Sequence, residues 1–204
     1  MPTISQPITK MSVAGRIAAA LGLARRDPRR RQLVAVIECA LNQNARDSGA
    51  ASYPALNKAI LTLCMQYDVG IVQIPCPEMR FMGLSRQRSP GKTIREALDT
   101  HAGCQSCRTI SHDLVNTLWD YQKSGCRLLA ILGGNPQSPG CAVHLEGRAS
   151  DPGQLATQSG VLMRILQEDL RQRQIDVPFR GMRDYRPELL AEDLRWLEQL
   201  FKDA

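Results

Sequence analysis

The chain has 204 residues, a formal net charge of +6 and few aromatic side chains: two Trp, four Tyr and three Phe. This length predicts a single domain that buries ~70% of the surface of the unfolded chain. No apolar run approaches the ~20 residues that span a bilayer, which excludes an integral membrane protein. Seven cysteines without a secretory signal predict a reduced, cytoplasmic chain whose thiols act as ligands or nucleophiles.

The positive charge is concentrated at the N-terminus. Residues 1–31 contain seven Lys/Arg and one Asp, whereas the rest carries 19 basic and 19 acidic side chains. Residues 1–10 lack periodicity and are predicted to be disordered, and Val13 to Leu23 has the spacing of an amphipathic helix. Such a basic arm suits RNA or an anionic membrane surface, and equally a short helix packed on the body. We expect two parts, this arm over 1–31 and one α/β domain over 32–204.

Short apolar runs predict four strands, and amphipathic segments between and after them predict helices. Because strand–helix–strand connections are right-handed parallel crossovers, we expect a Rossmann-like three-layer fold with a mostly parallel sheet of about four strands. Two Gly-, Pro- or Arg-rich segments, 79–100 and 147–159, are predicted to be loops. The predicted strands are 33–37, 69–74, 127–132 and 175–181, and the predicted helices are 54–67, 111–121, 160–174 and 188–202.

Three of the predicted strands are each followed by a cysteine. Cys39 follows the first run, Cys76 lies between two prolines after the second, and Cys141 ends Ser138-Pro-Gly-Cys141 after the third. The carboxyl ends of parallel strands share one edge of a sheet, where open α/β sheets bind ligands. Cysteine is also a common core residue, but two of these three lie near proline and outside the apolar runs. We therefore expect three thiols at one ligand-binding edge.

Three thiolates suit two kinds of metal centre. Zinc takes three protein ligands and an open position in catalytic sites, and a [4Fe-4S] cluster held by three thiolates has one open iron. Either open metal is a Lewis acid toward a substrate atom. The spacings of 37 and 65 residues match no compact zinc-finger or ferredoxin pattern, so both alternatives stay open.

A second set of metal ligands lies within twelve positions: His101, Cys104, Cys107 and His112. One CxxC pair is compatible with zinc, with a redox pair at the start of a helix, and with ordinary surface thiols. This set predicts an alternative function, a non-catalytic metal or redox-sensing module whose basic arm binds nucleic acid.

The residues around the three strand-end cysteines form longer motifs. They are Cys39-Ala-Leu-Asn-Gln-Asn44, Gln73-Ile-Pro-Cys-Pro-Glu78 with Gly83-Leu-x-Arg86 soon after, and Ser138-Pro-Gly-Cys141. Together they resemble the thiouracil desulfidase family, especially its single-domain relatives, from about Leu33 to Gly181. The family commonly has Ser-Pro-Ser-Cys-Gly at the third motif, where this chain has Gly140 before the cysteine and Ala142 after it.

The resemblance implies that Cys39, Cys76 and Cys141 hold a [4Fe-4S] cluster. The open iron would bind the sulfur of a thiolated pyrimidine, and water would replace that sulfur at carbon. Glu78 is expected to activate the water or protonate the ring nitrogen, and Ser138 to orient the substrate or the cluster. The expected substrate contacts are Asn42, Gln43, Asn44 and Arg86.

No separate RNA-binding domain follows the motifs, which favours a small substrate: a thiouracil-like base or nucleoside, or a similar thio compound. RNA remains an alternative, because a Lys/Arg arm supplies sequence-independent affinity. A zinc hydrolase on the same three thiols is the other enzymatic alternative. The pattern is compatible with an oligomer as well as with a monomer.

Overall fold

The computed structural model describes residues 27–145 and 154–204. Within these ranges the part from Arg31 onward forms one compact unit. The predicted arm helix over Val13–Leu23 and the first part of the predicted loop 147–159 lie outside the described residues. No helix in the described ranges has both the length and the apolar character that a membrane crossing requires.

The described residues contain four strands: β1 (Gln32–Ile37), β2 (Gly70–Ile74), β3 (Arg127–Gly133) and β4 (Phe179–Gly181). They form one parallel sheet in the order β2-β1-β3-β4, which confirms the predicted α/β, Rossmann-like fold. The inner strands β1 and β3 are buried along nearly their whole length, as in a parallel sheet covered on both faces. The chain leaves β1 toward β2 and leaves β3 toward β4, so the strand order reverses between β1 and β3.

Seven α-helices and one 3-10 turn accompany the described strands. Most of them connect consecutive strands, and the last one closes the domain. The 3-10 turn spans Gln43–Ala45. The helices are α1 (Glu38–Leu41), α2 (Lys58–Gln66), α3 (Pro77–Met82), α4 (Ile94–Leu98), α5 (His101–Lys123), α6 (Val161–Gln172) and α7 (Pro187–Lys202).

Two predicted elements begin later than the sequence pattern indicates. Helix α2 begins at Lys58 and not at Pro54, because Asn57 caps it by accepting hydrogen bonds from the N–H groups of the next turn. Strand β4 begins at Phe179, where its pairing with β3 starts, and not at Ile175. Pro178 precedes that pairing, and proline cannot donate a backbone hydrogen bond to a ladder.

The prediction that 79–100 is entirely loop is wrong, because two short helices occupy much of this region. Helix α3 starts with Pro77 at its first position, where the missing N–H costs nothing. Helix α4 starts with a capping box in which the side chains of Thr93 and Glu96 bind each other's backbone N–H.

Helix α5 begins at His101, well before the predicted start at Ser111. The Thr100 hydroxyl caps it by accepting from the N–H of Gly103. Gly103 packs directly on the backbone of Leu98, and a Cβ at this position would lie 2.6 Å from the Leu98 carbonyl oxygen. The whole CxxC segment is helical, with Cys104 in the first turn of α5 and Cys107 in the second.

Leu132→Ala is expected to destabilise the fold strongly. Leu132 lies in the middle of the sheet and is 0% exposed, and such truncations cost about 2–5 kcal/mol through lost burial and a residual cavity. Urea unfolding followed by circular dichroism measures the difference. Leu84→Ala is the control, since Leu84 is 61% exposed and should change stability by no more than ~0.5 kcal/mol. Equal effects of the two changes would contradict the assigned core.

Candidate functional site

The three strand-end cysteines line one cavity of about 280 Å³. Cys39 lies in α1 directly after β1, Cys76 precedes α3 after β2, and Cys141 lies in the turn that follows β3. The cavity is at the carboxyl edge of the sheet, next to the point where the strand order reverses. Open α/β sheets bind ligands at this place, because the connections diverge there and leave a crevice.

The Cys76 turn is fixed by its neighbours. Pro75 and Pro77 restrict φ on both sides, and the backbone N–H of Cys76 donates to Glu38 Oε2 at 2.8 Å. Glu38 is the residue immediately before Cys39, so this hydrogen bond joins the first cysteine motif to the second. The relative position of the two thiols is thus set by a local contact between strand ends.

Glycine at position 140 has a structural reason. Its N–H donates to Glu78 Oε1 at 3.2 Å, and a Cβ there would collide with Pro77. The third motif therefore packs closely on the start of α3.

Glu78 and Ser138 meet at the wall of the cavity. Ser138 Oγ lies 3.0 Å from Cys141 Sγ and 3.4 Å from Glu78 Oε1. The Glu78 side chain is buried, and its Oε2 lies 3.5 Å from the Nε of Arg86. The structure therefore brings together the two predicted catalytic side chains and one of the predicted thiols.

Arg86 forms part of the cavity wall. It is 2% exposed, and its guanidinium donates to the carbonyl oxygens of Ala45, Gly83 and Leu84. One of its nitrogens, Nη2, also lies 3.7 Å from Cys76 Sγ. Arg86 adopts a φ of +50°, an unusual value for a non-glycine residue that these contacts maintain. Most of its donors are committed to the protein, although it was predicted as a substrate contact.

The predicted contacts Asn42, Gln43 and Asn44 do not belong to the cavity lining. Gln43 is buried, donates to the carbonyl oxygen of Cys39 and accepts from the N–H of Ser52. Asn42 accepts from the backbone and side-chain N–H groups of Asn44 and so caps the 3-10 turn. These amides close the loop after α1, and their contact with a pyrimidine stays a prediction.

Three polar residues at the site escaped the sequence analysis. Arg46 Nη2 lies 2.6 Å from Asp184 Oδ2, and Asn135 Nδ2 donates to Asp184 Oδ1 at 2.9 Å. Arg46 and Asn135 line the cavity. Arg46 and Asp184 are 138 positions apart, so no local pattern links them. The only available signal was the position of Arg46 seven residues after Cys39.

Burial dominates the electrostatics of the thiols. It raises the pKa of Cys39 to about 11, and the neighbouring Arg46 guanidinium offsets part of the rise. Burial also raises the pKa of Cys76. The pKa of Cys141 is raised well above its ordinary value, first by burial and then by the charges of Cys39 and Glu78. The metal-free thiols are thus protonated near neutral pH, and a bound metal would displace their protons.

In residues 27–145 and 154–204, no three His, Cys, Asp or Glu side chains are grouped closely enough to hold a metal ion. The four predicted ligands around the CxxC pair diverge along α5. Cys107 is 0% exposed in the core, whereas the ring of His112 is in solvent beside Asp113. Burial raises the pKa of the Cys107 thiol to about 12, which is typical of a packed cysteine that is not reactive.

Gly134→Ala is expected to disturb the site more than the fold. The new Cβ would lie 2.6 Å from Cys141 Sγ, so the thiol would be displaced, at a stability cost of about 1–3 kcal/mol. Thermal unfolding and the alkylation rate of Cys141 measure the two effects. Gly70→Ala is the control, because its Cβ would meet its nearest atom at 3.4 Å. Equal alkylation rates of Cys141 in the two variants would contradict the close packing of residue 134 on the thiol.

Comparison with known proteins places the chain in no family. No family profile and no solved structure matches it. An uncharacterized protein of Methanocaldococcus jannaschii is 28% identical over 91 residues, which are 45% of this chain and 56% of that protein. The chain thus spans about half the length of this curated relative. The cavity is therefore the basis for inferring the function of this chain.

Proposed function

We propose that the protein is an iron–sulfur-dependent desulfidase that removes sulfur from a thiolated pyrimidine base or nucleoside. The observation that carries this proposal is the convergence of Cys39, Cys76 and Cys141 on one cavity at the carboxyl edge of the sheet. The resemblance of three motifs to the thiouracil desulfidases supports it. The reaction consumes one water, releases one hydrogen sulfide equivalent and changes no oxidation state.

The donor set suits an iron–sulfur cluster better than a single metal ion. No three ligand side chains in the described ranges are close enough to bind one ion, but a four-iron cluster is larger and holds its thiolates farther apart. Thiolates are the soft ligands that such clusters take, and the three thiols come from separate strand ends around a single space. Arg46 and Arg86, which both line this space, supply positive charge beside the thiolates. When bound, a [4Fe-4S] cluster with three protein ligands supplies one open iron as a Lewis acid for a thiocarbonyl sulfur.

Glu78 is suited to proton transfer. Its carboxylate lies at the cavity wall, accepts a hydrogen bond from the Gly140 N–H and lies 3.4 Å from the Ser138 hydroxyl. A carboxylate can take a proton from the attacking water and return it to the ring nitrogen of the product. The Ser138 hydroxyl lies between Glu78 and Cys141.

The rest of the cavity lining suits a flat heterocycle. Ile94, Pro139 and Ala45 provide apolar surface for the faces of a ring, and the amide of Gln137 provides a polar partner for its edge. The volume of about 280 Å³ lies near the lower end of the range for small-molecule sites, and a bound cluster would take up part of it. The remaining space suits a small base, so we favour a small cytoplasmic substrate over RNA bound through the basic arm.

The direct test is the iron and acid-labile sulfide content of anaerobically purified protein, followed by an assay with thiouracils. We expect about four irons and four sulfides per chain, a brown colour, and loss of thiouracil absorbance with sulfide release. Protein that stays colourless after anaerobic reconstitution, or that holds only zinc, would exclude the proposed reaction. In the zinc case a hydrolase on the same thiols becomes the hypothesis to test.

A further inference from the structure

Two of the three cavity thiols each face a hydrogen-bond donor of their own. Arg86 Nη2 lies 3.7 Å from Cys76 Sγ, within the range of a weak N–H···S contact. Ser138 Oγ lies 3.0 Å from Cys141 Sγ, and either of these atoms can be the donor. Once Cys141 ligates a metal it has no proton, so the Ser138 hydroxyl then donates to the sulfur.

The third thiol has a comparable neighbour. Arg46 and Cys39 line the same cavity, and the positive charge of Arg46 offsets part of the rise that burial causes in the pKa of Cys39. The guanidinium of Arg46 is oriented by Asp184 at 2.6 Å and by the carbonyl oxygen of Ala50 and the hydroxyl of Ser52, both at 3.0 Å. Protein groups alone make these contacts.

We propose that Arg46, Arg86 and Ser138 are positioning residues, one for each cavity thiol. They orient the three sulfurs and compensate their negative charge when the sulfurs ligate a metal group. The proposal rests on the proposed function for what the thiols hold, but the one-to-one pairing is a property of the protein alone. Outer-shell partners of metal ligands commonly change metal affinity by ~10–100-fold when they are removed.

The anchoring of the donors argues against accidental proximity. A buried guanidinium is costly unless its donors are satisfied, and the Arg86 guanidinium is satisfied by three backbone carbonyl oxygens in addition to its contact with Cys76. Two guanidinium groups and one hydroxyl are thus available to the three thiols. The neutral donor, Ser138, contacts Cys141 Sγ and lies 3.4 Å from Glu78 Oε1, so its single proton has two acceptors.

The pairing can be measured without any metal. Metal-free protein is treated with iodoacetamide at one pH, and mass spectrometry follows the alkylation rate of each cysteine separately. The variants are Arg46→Gln, Arg86→Gln and Ser138→Ala. Each variant should lower the alkylation rate of its paired cysteine about tenfold, the effect of losing one hydrogen bond to a charged group. The pairs are Arg46 with Cys39, Arg86 with Cys76 and Ser138 with Cys141. The alkylation rates of the other two cysteines should stay within about twofold.

Two further variants keep the result decisive. Arg86→Lys retains the buried charge and replaces Arg86→Gln if that variant does not fold. It should still lower the alkylation rate of Cys76. Arg80→Gln makes the same charge change on the exposed side of α3 and should leave all three rates unaltered. In Arg46→Gln, Arg86→Gln or Ser138→Ala, a uniform change of the three alkylation rates, or no change, would overturn the pairing.

This outcome is independent of iron analysis. A paired pattern in a protein that takes up no cluster would retain the positioning residues and exclude the desulfidase. An unpaired pattern in a protein that does bind the cluster would exclude the positioning residues and retain the desulfidase.

Discussion

Alanine at Cys39, Cys76 or Cys141 should each abolish cluster binding and desulfurisation. All three thiols line the same cavity, and removing any one leaves two ligands for a group that needs three from the protein. The loss should exceed ~100-fold, the upper end of the effect of changing an outer-shell residue. Iron and sulfide analysis together with the thiouracil absorbance assay measures both consequences in the same preparation.

Cys104→Ala is the matched control for these variants. Cys104 is half-buried on α5, its thiol lies 3.5 Å from the Leu98 carbonyl oxygen, and it is not among the residues that line the cavity. We expect unchanged iron content and activity. If Cys104→Ala removed the metal and Cys76→Ala retained it, the metal or redox module on α5 would replace the desulfidase as the leading interpretation.

Glu78→Gln should lower kcat by about 10²–10⁴, the usual contribution of a positioned acid–base group. Glutamine has the same shape, and its amide oxygen can still accept from the Gly140 N–H, so the fold and the metal content should be retained. The ion pair with the buried Arg86 is lost, which lowers stability, and the side chain can no longer take up and return a proton. Steady-state kinetics at saturating thiouracil, with iron analysis of the same sample, measure this separation.

Glu96→Gln provides the control for the Glu78 variant. Glu96 is exposed and belongs to the capping box of α4, where glutamine serves as well as glutamate, so activity should be unchanged. Full activity of Glu78→Gln would remove this residue from the mechanism. Loss of iron in Glu78→Gln would assign it to cluster binding and not to catalysis.

Much of the scaffold could be predicted because it depends on short-range patterns. The β-branched and leucine-rich runs specify buried parallel strands, and β1, β2 and β3 lie within one residue of the predicted segments. Parallel strands place their carboxyl ends at one edge, so residues that follow different strands were expected to meet there. The three thiols do line one cavity at that edge.

Boundaries and side-chain roles could be predicted less well. The start of α5 depends on a threonine cap and on the close packing of Gly103 against Leu98, and neither has a strong periodic signal. Gln43 and Arg86 lie in motifs that suggested substrate contact, yet their hydrogen bonds go largely to the protein. A polar residue near a site has the same sequence pattern whether it binds a ligand or supports a loop.

The sequence by itself determined the strands, the sheet edge and the cysteines that follow each strand, because these depend on local hydrophobic patterns and on the geometry of parallel sheets. Only the tertiary structure decided which polar groups surround the thiols. Arg46 and Asp184 are paired across 138 positions, and Glu78 and Ser138 meet across 60. Such pairs arise where separate strand ends converge in space, and no short-range pattern encodes that convergence.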